Sequence, residues 1–444
     1  MATDPLDPNV LDRASGVLLG QACGDALGVP YEFAWPPEGD ALMSGGGLGP
    51  YAPGEWSDDT QMAVCIARVS ERGGGLTSLA ELDEIAAAFE SWLADGASDV
   101  GTQTAGVLRS AATLPGSPAE RLTRASAVLH ERTQKTAGNG ALMRTGVVGL
   151  VALDDRERTA RAARSVAELT HADPLAAESC VLWSEAIRVA VTQSRLDVRA
   201  GLDLLPADRR GAWEAWIADA ELVRPDADLR TNGFTVTAFQ AAWHAIRRSP
   251  FFSATEFTEY DATVSHLPDA LHRAVRIGGD TDTVAAIAGA LLGARHGTRF
   301  IPREWSLAVH GWPGMRGIDL SRLGRLTAQR GLGASVVDGE PAPDPATPGA
   351  EPCPVCGTLG ASSARYPRRV CTWCAAWVTD EHGVPVSLYN VSFSGGFTAQ
   401  YDDGRAAERV TRDGRVRIGG AEFTAGETRM GGTVVQALAV ASDA

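Results

Sequence analysis

The residues of this 444-residue chain best placed to do chemistry are two carboxylates one residue apart, between paired glycines and a small-residue run: Gly278-Gly279-Asp280-Thr281-Asp282-Thr283. Carboxylates this close repel each other strongly in a pocket of low dielectric unless a cation or protons neutralise them. The stretch therefore reads as half of a metal site. The best candidate for the other half is Ser57-Asp58-Asp59-Thr60. The plainer alternative is that each carboxylate caps the helix that follows, where the macrodipole favours negative charge. Adjacent carboxylates with flanking hydroxyls exceed what a cap requires. If the clusters meet, Ser57, Asp58, Asp59, Asp280, Asp282 and Thr283 offer only oxygen, which selects Mg2+, Mn2+ or Ca2+ over zinc. Four carboxylates balance two divalent ions, and such a pair could polarise a diol and a bridging water.

Other stretches suit a ligand. Lys135-Thr136-Ala137-Gly138-Asn139-Gly140 is a glycine-rich loop read as leading into a helix. Its free N–H groups and small side chains suit an anion or a nucleotide sugar, although many tight turns look the same. Glu32 follows a helix end on a loop, where function concentrates. His171 follows another helix C-terminus, a position where most histidines are surface residues. Asp25, within a helix, reads as a satisfied buried carboxylate rather than a catalyst.

The elements that must position these groups are helices. Gly16, Gly20, Gly24 and Gly28 recur every four residues and stack on one helix face. Gly289, Gly293 and Gly297 repeat the spacing just after the acidic motif. Glycine costs about 1 kcal/mol against alanine inside a helix, so close helix approach must offset it. Apolar spacing marks further helices near 58–71, 79–94, 99–114, 122–129, 158–170, 175–193, 210–222, 234–246 and 267–275. Strand signals are nearly absent before residue 330. The fold expected is an all-α catalytic domain over 10–332, then a Pro-rich linker over 333–352.

Beyond the linker, Cys353-x-x-Cys356 and Cys371-x-x-Cys374 are separated by 14 residues. This is the spacing of a structural zinc ribbon, one residue short of the usual range, and four thiolates would hold one Zn2+. A small module needs such a staple. Alternation over 384–393 and 409–418, with Asp413-Gly414 as a hairpin turn between Val410 and Val416, predicts a small β-rich module over 353–440.

Composition narrows the function classes. A formal net charge of −15 disfavours nucleic acid and anionic membranes as partners. No apolar run reaches the roughly 18 residues that span a membrane, and no secretory signal is visible in the first ten residues. Cys23, Cys65 and Cys180 sit singly in apolar helical settings as buried thiols. A cytoplasmic location is the expectation. Nothing in the sequence sets the oligomeric state.

The stretches GVLLGQACGDALGVPYE, GEWSDDTQMA, SDVGTQT, KTAGNGALMR, THADP, NGFTVTAFQAAWHA and RIGGDTDTVAAIAGALLGARHG occur in the order seen in the ADP-ribosylglycohydrolase family. On these motifs the chain resembles that family over about residues 10–310. The resemblance implies an orthogonal helical domain with a cleft holding two Mg2+ or Mn2+. It implies cleavage of the N- or O-glycosidic bond between ADP-ribose and an ADP-ribosylated protein or other acceptor. By motif, Ser57, Asp58, Asp59, Asp280, Asp282 and Thr283 match the metal ligands, and Glu32 and Asp99 the catalytic carboxylates. Thr136, Gly138 and Asn139 match the loop that holds ribose and diphosphate, with Gly101 and His171 near it. The chain departs from the family in a longer connection over 251–267 and in the tail. Two other functions fit the residues: a non-catalytic ADP-ribose-binding protein and a two-metal phosphoester hydrolase.

Overall fold

The structure is a computed structural model that describes residues 7–249, 259–331, 350–355, 359–361, 365–392, 395–429 and 432–438. The chain divides into two units, Met1–Val336 and Val337–Ala444. The first is built from helices α1 (Pro8–Gly28), α2 (Asp58–Ser70), α3 (Leu79–Ala94), α4 (Thr102–Ala111), α5 (Pro118–Thr133), α6 (Arg156–Glu168) and α7 (Pro174–Gln193). It continues with α8 (Ala207–Ala220), α9 (Thr235–Arg247), α10 (Glu259–Ile277), α11 (Thr281–His296), α12 (Arg303–Ala308) and α13 (Gly317–Gly331). A two-residue antiparallel pair, β1 (His310–Gly311) with β2 (Met315–Arg316), is inserted between α12 and α13.

The centre of this unit is the antiparallel contact of α1 with α11. A Cβ on Gly16 would lie 2.4 Å from the Gly293 carbonyl oxygen, one on Gly20 2.3 Å from that of Gly289, and one on Gly24 2.0 Å from that of Ala285. At Gly28 it would meet the Asp282 Cα at 2.3 Å. Only hydrogen fits at these positions, so the two backbones touch along their whole shared length. The ladder brings the C-terminal end of α1 against the first turn of α11, which holds the acidic motif. Both helices are buried nearly all round, as expected of core helices.

The helices expected from periodicity are present with ends shifted by a few residues, except that α10, expected over 267–275, begins eight residues earlier at Glu259. The Gly-Asn-Gly loop differs from expectation: it enters 3-10 turns at Asn139–Ala141 and Gly146–Leu150 rather than an α-helix. Its backbone is instead held by the chain before α9, through an Asn139 N–H bond to the Gly233 carbonyl of 3.1 Å and a Thr235 N–H bond to the Ala137 carbonyl of 2.9 Å.

The second unit carries small antiparallel sheets: β3 (Ala350–Pro352) with β4 (Leu359–Ala361), β5 (Val386–Ser392) with β6 (Gly395–Tyr401), and a meander of β7 (Arg415–Ile418), β8 (Ala421–Glu427) and β9 (Thr433–Ala437). It also has two short helices, α14 (Thr372–Ala375) and α15 (Glu408–Asp413). The strand expected to start at Arg409 is therefore wrong in its first half. Gly414, at φ 63°, ends α15 in the left-handed conformation rather than turning a hairpin, and the strand begins at Arg415. Residues 332–349, which include most of the expected linker, Cys356, and residues 250–258 within the longer connection lie outside the described residues.

Candidate active site

Helix α2 begins in an unusual way. Ser57 stands at its N-cap, yet its side chain does not cap. Asp25 does so from α1: its Oδ1 accepts the Ser57 N–H at 2.8 Å and its Oδ2 the Thr60 N–H at 3.0 Å. The Ser57 hydroxyl faces both Asp25 Oδ1 at 2.8 Å and Asp59 Oδ2 at 3.0 Å. Asp25 is thus the satisfied buried carboxylate expected, and its capping work leaves Asp58 and Asp59 for other use. Asp280 likewise stands at the N-cap of α11 without a side-chain cap bond, and its Oδ2 accepts from Asn139 Nδ2 at 2.8 Å.

The chain reaches Asp280 through Gly278 and Gly279, at φ 81° and 82°. A Cβ on Gly279 would strike the Arg230 carbonyl oxygen at 2.3 Å and Asn232 Oδ1 at 2.5 Å. Asn232 locks this turn. It donates to the Gly278 carbonyl at 2.9 Å, accepts the Asp280 N–H at 2.8 Å, and offers its own carbonyl to Asn139 Nδ2 at 2.9 Å. Sequence reasoning noted the Asn232-Gly233 motif without giving Asn232 a role; a buried amide that bonds both sides of the Gly278–Asp280 turn is visible only in the fold.

The two acidic motifs meet. One oxygen from each of Asp25, Asp59 and Asp282 lies within 4.8 Å of the others, and the same holds for Glu32, Asp280 and Asp282. Asp282 belongs to both groups. A cavity of about 380 Å³ opens onto them, lined by Glu32, Phe33, Asp58, Asp99, Gly101, Gly138, Asn139, His171, Asp280, Asp282 and Thr283 among others. Of the residues singled out from the sequence, Ser57, Asp59 and Thr136 are buried and do not line it. Asp59 joins through its place in the carboxylate cluster. Thr136 lies behind the loop, its carbonyl accepting from Gln103 Nε2 at 3.0 Å. A second cavity of about 480 Å³ includes Lys135 and Phe234 and shares Gln103, Gly138 and Gly233 with the first.

Charge dominates the site. Burial, and after it the neighbouring carboxylates, pushes Asp58, Asp59 and Asp282 well above the usual carboxylate range. Burial raises Asp25 to about 6, and burial with the charges of Asp99, Asp280 and Asp58 raises Glu32 to about 9. Asp99 is raised too, by burial, and shares a hydrogen bond with Glu32. These carboxyls therefore call for protons or cations. Asp59 Oδ1 is buried with no hydrogen-bond partner. An orphaned carboxylate oxygen inside an all-oxygen cluster fits a hard divalent cation.

His171 was expected on a loop and stands on one, but it is only 1% exposed rather than a surface residue. Burial, and then the Arg144 charge, lowers its pKa to about 3. Phe33 is a residue that sequence reasoning missed. It is 63% exposed, lines the cavity, and adopts φ 48°, with its N–H bonded to the Gly279 carbonyl at 2.7 Å.

In the second unit the sulfurs of Cys353, Cys371 and Cys374 lie within 4.8 Å of one another. The Cys371 N–H donates to Cys353 Sγ at 3.3 Å and the Cys374 N–H to Cys371 Sγ at 3.4 Å. Such donors favour thiolates, the form that ligates metal.

Residues 6–333 match the profile of a protein family described as ADP-ribosylglycohydrolase. The chain is similar to an ADP-ribosylarginine hydrolase, Tri1, of Serratia proteamaculans (strain 568), with 27% identity over 307 residues, 66% of this chain and 74% of that protein. It is similar to the ADP-ribosyl-[dinitrogen reductase] glycohydrolase of Rhodospirillum rubrum, 27% identical over 318 residues, 67% of this chain and 90% of that protein. Among solved structures, a chain from an ADP-ribosylglycohydrolase-related protein complex aligns with a TM-score of 0.56 at 25% identity, covering 73% of this chain and 99% of that one.

Proposed function

This chain belongs to the ADP-ribosylglycohydrolase family of hydrolases, and from that premise we propose that its first unit removes ADP-ribose from a modified acceptor by hydrolysing the glycosidic bond. The observation that carries the reading is the single cavity that joins the clustered carboxylates of residues 58, 280 and 282 to Glu32, Asp99 and the Gly138-Asn139 loop. An anionic, sugar-bearing substrate fits this division: carboxylates on one wall, small backbone-rich residues on the other.

In this reading Ser57, Asp58, Asp59, Asp280, Asp282 and Thr283 hold two Mg2+ or Mn2+. When bound, the ions would supply neutralising charge and polarise the ribose diol and a water. Asn139 orients Asp280 while the loop it belongs to receives ribose and diphosphate. The second cavity, reached past Gln103, Gly138 and Gly233, takes the adenosine end. Glu32 and Asp99 share the proton that reaches the departing acceptor nitrogen or oxygen as the bond to the anomeric carbon breaks and water replaces it. We take the acceptor to be an arginine of a protein, because the relatives named above include an ADP-ribosylarginine hydrolase.

The remainder of the reading concerns the second unit and the setting. Cys353, Cys356, Cys371 and Cys374 hold one structural Zn2+, and the module over 353–440 recognises the acceptor or an assembly partner. Zinc content of the purified chain checks the first point. Among the described residues no helix is long and apolar enough to cross a membrane, and a cytoplasmic setting suits the clustered thiols.

The test is incubation of the full chain with Mg2+ or Mn2+ and ADP-ribosylated arginine and serine substrates, with free ADP-ribose quantified. Release by the wild type and its loss in Asp280→Asn are expected. Release of AMP instead, or no product with any substrate, overturns the proposal.

A further inference from the structure

Arg144 is fully buried, and among the described residues it makes no ion pair. Its guanidinium lies over the Phe89 ring, 4.5 Å from the centroid, and Nη1 points to Met62 Sδ at 3.5 Å. Its one short polar contact is from Nη2 to Thr170 Oγ1, at 2.6 Å. The same Thr170 oxygen lies 2.8 Å from His171 Nδ1. Burying a guanidinium without a carboxylate is expensive, so the destination of that one strong contact matters.

The direction of each bond follows from the donors available. Arginine can only donate. Thr170 Oγ1 therefore accepts from Arg144, and its single hydrogen is free to go to His171 Nδ1. Nδ1 is then the bare nitrogen of a neutral imidazole, and the proton resides on Nε2. The reverse tautomer would give the Thr170 oxygen two donors and leave its own buried hydrogen without an acceptor. Nε2 is the nitrogen that faces the glycine-rich loop: a Cβ on Gly140 would lie 3.3 Å from it, and one on Gly138 3.4 Å. His171 also lines the cavity.

We propose that Arg144 and Thr170 act as positioning residues that fix His171 in its neutral Nε2–H form, so that the imidazole presents a hydrogen-bond donor to the anionic part of the ligand beside the Gly138–Gly140 loop. The relay rests on the reading of that cavity as the diphosphate site. Arg144 acts twice: through Thr170 it orients the ring, and its charge adds to burial, the larger cause, in keeping the ring from taking a second proton. The donor is accordingly available throughout the physiological range, unlike that of an ordinary histidine, which titrates there.

The experiment uses the full chain labelled with 15N-histidine and long-range 1H–15N correlation NMR near pH 7, with the His171 signals identified by their absence in His171→Gln. The expected spectrum shows protonated Nε2 and bare Nδ1. In Thr170→Val, which keeps shape but removes the hydroxyl, that tautomer is lost, and Thr170→Ser restores it. By titration calorimetry with ADP-ribose, Thr170→Val binds roughly 10-fold more weakly than wild type and Thr170→Ser binds as wild type, the change expected for one lost hydrogen bond to a charged group. Wild-type affinity owes nothing to His171 titration between about pH 6 and 8. A wild-type His171 protonated on Nδ1 or on both nitrogens overturns the relay, as does a Thr170→Val chain whose tautomer is unchanged. If ADP-ribose fails to bind wild type, the functional reading of the cavity falls, and the relay is decided by the spectra alone.

Discussion

Asn139 donates from Nδ2 to Asp280 Oδ2 at 2.8 Å, across 141 residues of chain, and so ties the glycine-rich loop to the acidic motif. The same amide nitrogen bonds the Asn232 carbonyl, which places both walls of the cavity in one network. Asn139→Ala removes a charge-assisted bond from the Asp280 carboxylate. Such outer partners typically govern metal affinity by about 10- to 100-fold. Calorimetric Mn2+ affinity of Asn139→Ala should fall by that factor while circular dichroism stays native; unchanged affinity would remove Asn139 from the metal network.

The ladder between α1 and α11 makes a second prediction. Gly24→Ala forces a methyl to within 2.0 Å of the Ala285 carbonyl oxygen, where only backbone could yield. Overpacking of this kind costs about 1–3 kcal/mol or more, whereas alanine at an exposed helical glycine stabilises by about 1 kcal/mol. Thermal unfolding should show a large loss for Gly24→Ala and none for Gly211→Ala on α8, where a Cβ meets nothing within 4 Å. Equal Tm values for the two variants would count against backbone contact along the ladder.

Phe33 adopts a left-handed backbone while exposing its ring. A bulky side chain there costs about 1–2 kcal/mol relative to the ordinary conformation, and an exposed ring recovers little of that by burial. Phe33→Gly should therefore match or exceed wild type in Tm, and Phe33→Val, with its branched Cβ, should fall below it. A clear loss of stability in Phe33→Gly would show that the ring is held by packing after all.

The acidic cluster sets a pH signature. The folded pKa of Glu32, about 9, stands above its unfolded value, so the stability it contributes is complete below roughly pH 4 and lost as pH rises through about 9. Asp58, Asp59 and Asp282 shift in the same direction. His171 acts oppositely, since its pKa is lowered by burial: its contribution is present above about pH 6.5 and falls away as pH drops toward 3. Between about pH 7 and pH 9 His171 adds no slope, and the carboxyls act in the same direction as the buried thiols of Cys23, Cys65 and Cys180, which burial also raises. In EDTA, Tm should fall across that interval, and the stabilisation by Mg2+ or Mn2+ should grow, because the ions bind the ionised form. A metal-induced shift that shrinks toward pH 9 would contradict the cluster's role.

Much of this was legible in the sequence because local chemistry and fold agreed there. The acidic pair beside Gly278-Gly279 marked one half of the site, and glycines every four residues demanded a close helix neighbour. What could not be read were the contacts made over distance. Asp25 caps a helix it does not belong to, so for Asp58 and Asp59 the sequence could set a metal role against capping but could not show that the cap comes from elsewhere. His171 follows a helix end, a place that is usually exposed, and only the packing of Arg144 and Thr170 beneath it shows why it is buried. At Arg409–Asp413 alternation suggested a strand, but a left-handed glycine closes a short helix there. The period-two pattern was too brief to decide.

The Thr281 hydroxyl bonds the Gly28 carbonyl at 2.8 Å, between residues 253 apart in sequence. On the ribosome, at about 5–20 residues per second, α1 waits roughly 10 to 50 s before its partner has been made. The apolar, glycine-grooved face of the first helix stays without its partner for that interval, and no nascent chain ending before α11 can bring the two acidic motifs together. On the proposed reading, a site for metal ions would therefore form late in synthesis, once α11 has been made.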